Sequence, residues 1–266
     1  MNLFNIFSDI EKVDADANER FTFSRRKMLK TTSVAAASSS FFFSSVINKA
    51  FAQSNTVTDV LNFALLLEYL EADFYMRALT SNLNFGSFRP LFEEIGKHEA
   101  QHVALLKSAL GTAAIAKPEF DFTAKGMFPN PFANYPVYLT LAQAFEDTGV
   151  RAYKGQAGNL ASNRDVLEIA LRIHSVEARH AGEVRIVRGL TPYANETDNG
   201  GVPAAIYEGE NNMTHIAGID LVALSQPKLL FQNGASQMRA MKFVRESFDE
   251  PLTKAQVEAI ALPFIK

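Results

Sequence analysis

The chain has 266 residues, of which 47% are hydrophobic and 21% charged, with a formal net charge of −3. That balance describes a folded globular protein and offers no basic footprint for nucleic acid. Cysteine is absent while phenylalanine occurs 22 times, so disulfides and thiolate ligands are excluded, and a bound metal would have to be held by oxygen and nitrogen.

The first fifty residues read as an address rather than as part of a fold. Ser24-Arg25-Arg26-Lys27-Met28-Leu29-Lys30 resembles a twin-arginine export signal, with Met28 where Phe or Leu is commoner. An uncharged stretch rich in Ala, Ser and Phe follows from Thr31 to Asn48, and Ala50-Phe51-Ala52 fits the small-x-small cleavage pattern. The competing reading is a single membrane anchor, but six Ser and two Thr interrupt the run. The expectation is a signal over residues 1–52, cleaved near Ala52, with the twin-arginine export machinery as a partner. The mature chain would then begin near Gln53, in a bacterial periplasm or beyond. That route carries folded proteins, often those that acquire a cofactor before export.

A first helix is predicted over residues 57–80, where Val57, Val60, Leu61, Ala64, Leu65, Glu68, Glu71, Ala72 and Tyr75 recur at helical spacing. Ser87, with Pro90 in the first turn, opens a second that ends before Gly111. Residues 111–135 carry Pro118, Pro129 and Pro131 without helical periodicity, and so form a long crossover. Pro136 starts a third helix to about Lys154, stopped by Gly155 and Gly158. Ser162-Asn163-Arg164-Asp165 begins a fourth, which runs to Gly189. Residues 190–235 are loop-like, and two short helices follow, Ser236 to Phe248 and Ala255 to Leu262. The last opens on the capping-box pattern Thr253-Lys-Ala-Gln256. The expected architecture is all-α: a four-helix bundle over residues 53–190, and a partly irregular extension over 191–266 packed on it.

Two Glu-x-x-His motifs dominate the helices, Glu99-Ala-Gln-His102 and Glu177-Ala-Arg-His180. Each is preceded, 31 residues earlier, by a lone glutamate, Glu68 and Glu146. Residues i and i+3 share a helix face, so each motif can aim a carboxylate and an imidazole at one point. Four carboxylates and two imidazoles make up the ligand set of a two-metal site inside a four-helix bundle. One such motif alone would more simply be a surface i,i+3 pair, but the equal intervals mark a duplication.

Superposing Glu68 on Glu146 also superposes Tyr75 on Tyr153, each seven residues on and on the same helix face. Glu71 falls opposite Gly149 and stands only 28 residues from Glu99. Glu68 is therefore the better ligand, and Glu71 a neighbour of the site or a salt-bridge partner. Tyr75 and Tyr153 are candidates to hydrogen-bond the carboxylates, with a satisfied core tyrosine the plainer alternative. His174, one turn before Glu177, could donate to the site or simply be a satisfied histidine. His98 lies about 100° around the helix from Glu99 and is expected to point elsewhere. His215 finds no partner in the sequence.

The paired motifs and their partner carboxylates resemble the ferritin-like di-iron superfamily, which includes bacterioferritins, rubrerythrins and manganese catalases. Leu61-Asn-Phe-Ala-Leu-Leu-Leu-Glu68-Tyr-Leu-Glu71-Ala-Asp-Phe-Tyr75 is similar to ferritin-like proteins related to desiccation-associated proteins. So are Phe145-Glu146-Asp-Thr-Gly-Val-Arg-Ala-Tyr153 and Phe248-Asp-Glu-Pro-Leu-Thr-Lys. The resemblance covers roughly residues 57–265. It implies metal ligands at Glu68, Glu99, His102, Glu146, Glu177 and His180, and two iron ions as cofactor, with two manganese ions as the alternative. It also implies oxygen- or peroxide-linked redox chemistry in metal handling or stress protection. A manganese catalase-like enzyme and a non-enzymatic protective or structural protein are the competing readings. Assembly into a homo-oligomer stays open, and the long tail argues against a storage cage.

Overall fold

A computed structural model describes residues 55–194, 200–214, 234–247 and 249–266. The expected signal over 1–52 and His215 lie outside the described residues. Helix α1 spans Asn55–Thr80, α2 Arg89–Leu110, α3 Tyr135–Ala157 and α4 Arg164–Val187. Two shorter helices follow, α5 at Gly234–Ser247 and α6 at Lys254–Ala261. Helix α1 packs chiefly on α2, and α3 on α4. The bundle is thus two helical hairpins, whose short turns keep sequence neighbours antiparallel, joined by the crossover.

Local chemistry sets the helix ends. Asn134 caps α3 by accepting from Val137 N, and Asn163 caps α4 by accepting from Val166 N. Ser87 does not cap α2: it sits in a 3-10 turn, Gly86–Phe88, and α2 begins without a side-chain cap. The capping box of α6 is present, with Thr253 and Gln256 satisfying each other's backbone N–H.

Gly155 does not stop α3, which continues to Ala157. Its missing side chain serves packing instead. A Cβ on residue 155 would lie 2.0 Å from the carbonyl oxygen of Leu252, and Leu252 N donates to Arg151 O one turn earlier. Leu252 also joins Phe63, Leu67, Ala152, Val257 and Ala261 in an apolar cluster that seats α6 between α1 and α3.

Every residue of α3 from Leu141 to Tyr153 is buried, so its polar residues must find partners inside the protein. Arg185 of α4 forms a two-point ion pair with Asp147, which also accepts from the Tyr207 hydroxyl. Gln143 donates to the same hydroxyl at 2.8 Å. Arg151 pairs with Glu210 at 3.0 Å and donates to the carbonyls of Ile206, Glu208 and Glu250. The 200–214 segment is thereby fastened to the face of α3 that carries Gln143, Asp147 and Arg151.

The crossover is held by its phenylalanines and by the C-terminus. Phe122 packs against Phe74 and Phe132, and Phe120 forms an isolated antiparallel bridge with Ile265. Among the described residues, no helix is long and apolar enough to cross a membrane.

Candidate metal centre

Glu68 on α1, Glu99 and His102 on α2, Glu146 on α3, and Glu177 and His180 on α4 converge at the centre of the bundle. The four glutamates are each 0% exposed, and the two histidines 8% and 3%. Carboxylates are almost never fully buried without partners, because burial removes the water that stabilises their charge. Here each is surrounded by the others. Ligand atoms of Glu68, Glu99, His102 and Glu177 lie within 4.8 Å of one another, and so do those of Glu99, Glu146, Glu177 and His180. Glu99 and Glu177 belong to both sets.

Both imidazoles face the centre through Nδ1. His102 Nδ1 stands 3.1 Å from Glu68 Oε2, 3.1 Å from Glu99 Oε2 and 3.2 Å from Glu177 Oε1. His180 Nδ1 stands 2.8 Å from Glu99 Oε1 and 3.3 Å from Glu146 Oε2. Glu177 Oε2 is buried without a hydrogen-bond partner, and Glu99 Oε1, Glu146 Oε2 and Glu177 Oε1 face only the imidazole nitrogens of the cluster. Such orphaned lone pairs, converging on one place, are what a cation would satisfy. The donor set of oxygen and imidazole nitrogen fits iron, manganese or zinc.

Electrostatics without metal show the same strain. Burial, reinforced by neighbouring carboxylates, raises Glu177 well above the ordinary carboxylate range. Burial also raises Glu68 to about 7 and raises Glu146. Glu99 goes the other way: burial would raise it, but contact with His102 and His180 holds it down to about 2. For His180 burial favours the neutral ring, yet the facing Glu146 and Glu99 push it up to about 11. His102 is raised in the same manner by Glu177, Glu68 and Glu99. Without metal, the cluster balances itself by keeping protons.

The two tyrosines cross between the hairpins. Tyr75 on α1 donates to Glu146 Oε1 on α3, and Tyr153 on α3 donates to Glu68 Oε1 on α1. Glu71 is 3% exposed but lies outside both ligand sets. A Cβ on Gly149 would stand 3.0 Å from Glu177 Oε2 and 3.3 Å from Glu71 Oε1, so the glycine opposite Glu71 leaves both carboxylates their room. His174 is not brought to the ligands: the groups around it are the Val150 backbone, Asp249 and Lys154.

His98 corrects the expectation from its helical angle. Its Nδ1 lies 2.9 Å from His180 Nε2, and the two rings stack with centroids 5.2 Å apart. The rotation that takes His98 away from Glu99 carries it toward α4, onto the outer nitrogen of the opposite motif's histidine. Its own Nε2 faces Glu94 Oε1 at 3.5 Å near the surface. The signal was present in the His98/His102 spacing of one turn, but reading it required knowing that α4 packs on that side.

A helical bundle of two hairpins with a buried acidic and imidazole cluster defines the ferritin-like class. Residues 56–190 match the family described as Ferritin-like domain, and the chain belongs to that family. No curated protein matches the chain.

Proposed function

We propose that this chain is an exported ferritin-like protein that holds two metal ions, iron in preference to manganese, in the buried cluster. We infer that it uses them in oxygen- or peroxide-linked redox chemistry, in metal handling or stress protection. The observation that carries this reading is the sharing of Glu99 and Glu177 between two ligand sets. In the proposed assignment Glu68, Glu99, His102 and Glu177 would hold one ion, and Glu99, Glu146, Glu177 and His180 would hold the other. When bound, two such ions offer paired redox centres to one small oxidant.

The chain's own residues hold the site in place. Four carboxylates offset the charge of two divalent ions, so the loaded interior is close to neutral. The tyrosine hydroxyls fix the rotamers of Glu68 and Glu146 from across the bundle. In the assigned tautomer His180 carries its proton on Nε2 and donates it to His98 Nδ1, which leaves Nδ1 free to act as a ligand. Phe74, Tyr75, Phe92 and Tyr138 pack ring against ring, all fully buried, around the tyrosine that reaches Glu146. Export by the twin-arginine route belongs to the same reading, since a bundle loaded with metal before translocation must travel folded.

The test is reconstitution with iron and manganese separately, followed by measurement of oxygen and peroxide consumption. Turnover with iron supports the reading. Oxygen release from peroxide with manganese alone would favour the catalase-like alternative. Inertness with both metals would contradict redox chemistry and leave metal, if bound, a stabilising role.

A further inference from the structure

An apolar chamber of about 260 Å³ is walled by the crossover, α3, the 200–210 segment and α6. Met127, Phe128, Phe145, Ile206, Ile260 and Phe264 contribute to its walls. Its two polar lining residues, Glu208 and Gln256, bond to each other at 3.2 Å. A second, much smaller cavity of about 10 Å³, the room needed for a water-sized molecule, lies deeper in the bundle between α1, α3 and α6. Phe145 and Ile260 line both cavities.

The inner cavity comes up to the metal centre without being lined by a ligand. Glu71 and Gly149 are among its walls, and a Cβ on Gly149 would sit 3.0 Å from Glu177 Oε2, so one glycine backbone separates the cavity from that ligand. Thr148 also faces this cavity, but its hydroxyl is committed to the Ala144 carbonyl at 2.6 Å. Apart from the Glu208–Gln256 pair of the outer chamber, the passage therefore presents carbon along most of its length, with the Glu71 carboxylate at its inner end. A hydrated cation would lose its water against such walls without recompense, whereas an apolar solute would not.

We propose that this chamber binds a small apolar molecule of diatomic size and passes it to the metal centre between Phe145 and Ile260. Phe145 is anchored by edge-on contacts with Phe264 and Phe74 at 5.0 and 5.1 Å, and half-buried Ile260 on α6 forms the wall shared with it. The proposal gives the C-terminal extension a role at the site, and it rests on the metal-centre reading above.

Two measurements separate the proposal from that reading. Crystals of the purified protein under xenon pressure test the chamber without any metal: xenon bound beside Phe145 and Ile260 is expected, and its absence there overturns the proposal. Protein loaded anaerobically with ferrous iron is then mixed with nitric oxide, an apolar diatomic probe whose binding is followed by absorbance without turnover. Ile260→Trp should exclude xenon and slow nitric oxide association by an order of magnitude, with iron content unchanged. Ala144→Trp, at a buried position of the α3 wall, should do the same if the first variant fails to fold. A variant that excludes xenon yet binds nitric oxide at the wild-type rate would overturn the route. Failure to take up iron would instead sink the metal-centre reading, and with it the route.

Discussion

Tyr75 reaches across the bundle to Glu146, not to the glutamate of its own helix. Tyr153 returns the contact to Glu68. The seven-residue spacing places each hydroxyl two turns along its helix, where the antiparallel partner carries the opposite carboxylate. The reciprocal pair ties the two hairpins together at Oε1 of each carboxylate and leaves each Oε2 turned to an imidazole of the cluster, so it bears on affinity more than on folding.

Tyr75→Phe should accordingly preserve the fold and weaken metal binding at the Glu146 and His180 side. Loss of a hydrogen bond that orients a ligand costs about 10- to 100-fold in affinity. A competition titration with a metal chelator checks this, and unchanged affinity at both sites would show that the contact is only structural.

His98→Ala should act on the same side by freeing His180 Nε2, again with about a tenfold or greater loss of affinity. His98→Gln, which can still accept a hydrogen bond, should recover part of the loss. Equal affinity in both variants would remove His98 from the account.

The metal-free protein should lose stability as the pH rises from mildly acidic to neutral. Glu68 is raised from 4.5 to about 7, so its contribution is fully present below 4.5 and is lost as pH climbs through 7. For a shift of that size the loss is on the order of 3 kcal/mol. Glu99 is depressed to about 2, so its contribution is present above 4.5 and lost as pH falls through 2. Thermal melts of chelator-treated protein should therefore peak near pH 4.5. With metal added at neutral pH the trend should reverse, because metal displaces the retained protons. Calorimetry in buffers of different ionisation enthalpy would register the released protons.

Gly155→Ala should detach the segment around Leu252 from α3. The added Cβ would meet a backbone carbonyl at 2.0 Å, a clash that no side-chain rotation relieves, and the cost should exceed the ~1–3 kcal/mol usual for overpacking. Denaturant melts and faster proteolysis near Asp249 to Thr253 measure it.

The helices and the six converging residues were legible because helical periodicity and the doubled motif are local signals. Glu68 and Glu146 were found through their equal distances to the motifs, and Gly149 was already visible as the odd partner of Glu71. What escaped depends on packing between distant segments. Gly155 looks like a helix stop until Leu252 is brought against it. His98 seems turned away until α4 fills that side, and Arg151 gives no hint that it will be buried against Glu210, 59 residues later. His174 sits at the right spacing, but it falls on the side of α4 that meets Asp249.

The central claim is that two metal ions sit between Glu99 and Glu177, and metal content per chain tests it most directly. Protein recovered after export and purified without chelators should carry two equivalents of iron or manganese, and Glu99→Ala combined with Glu177→Ala should carry neither. Wild-type protein recovered without metal, and unable to take up either ion afterwards, would contradict the account.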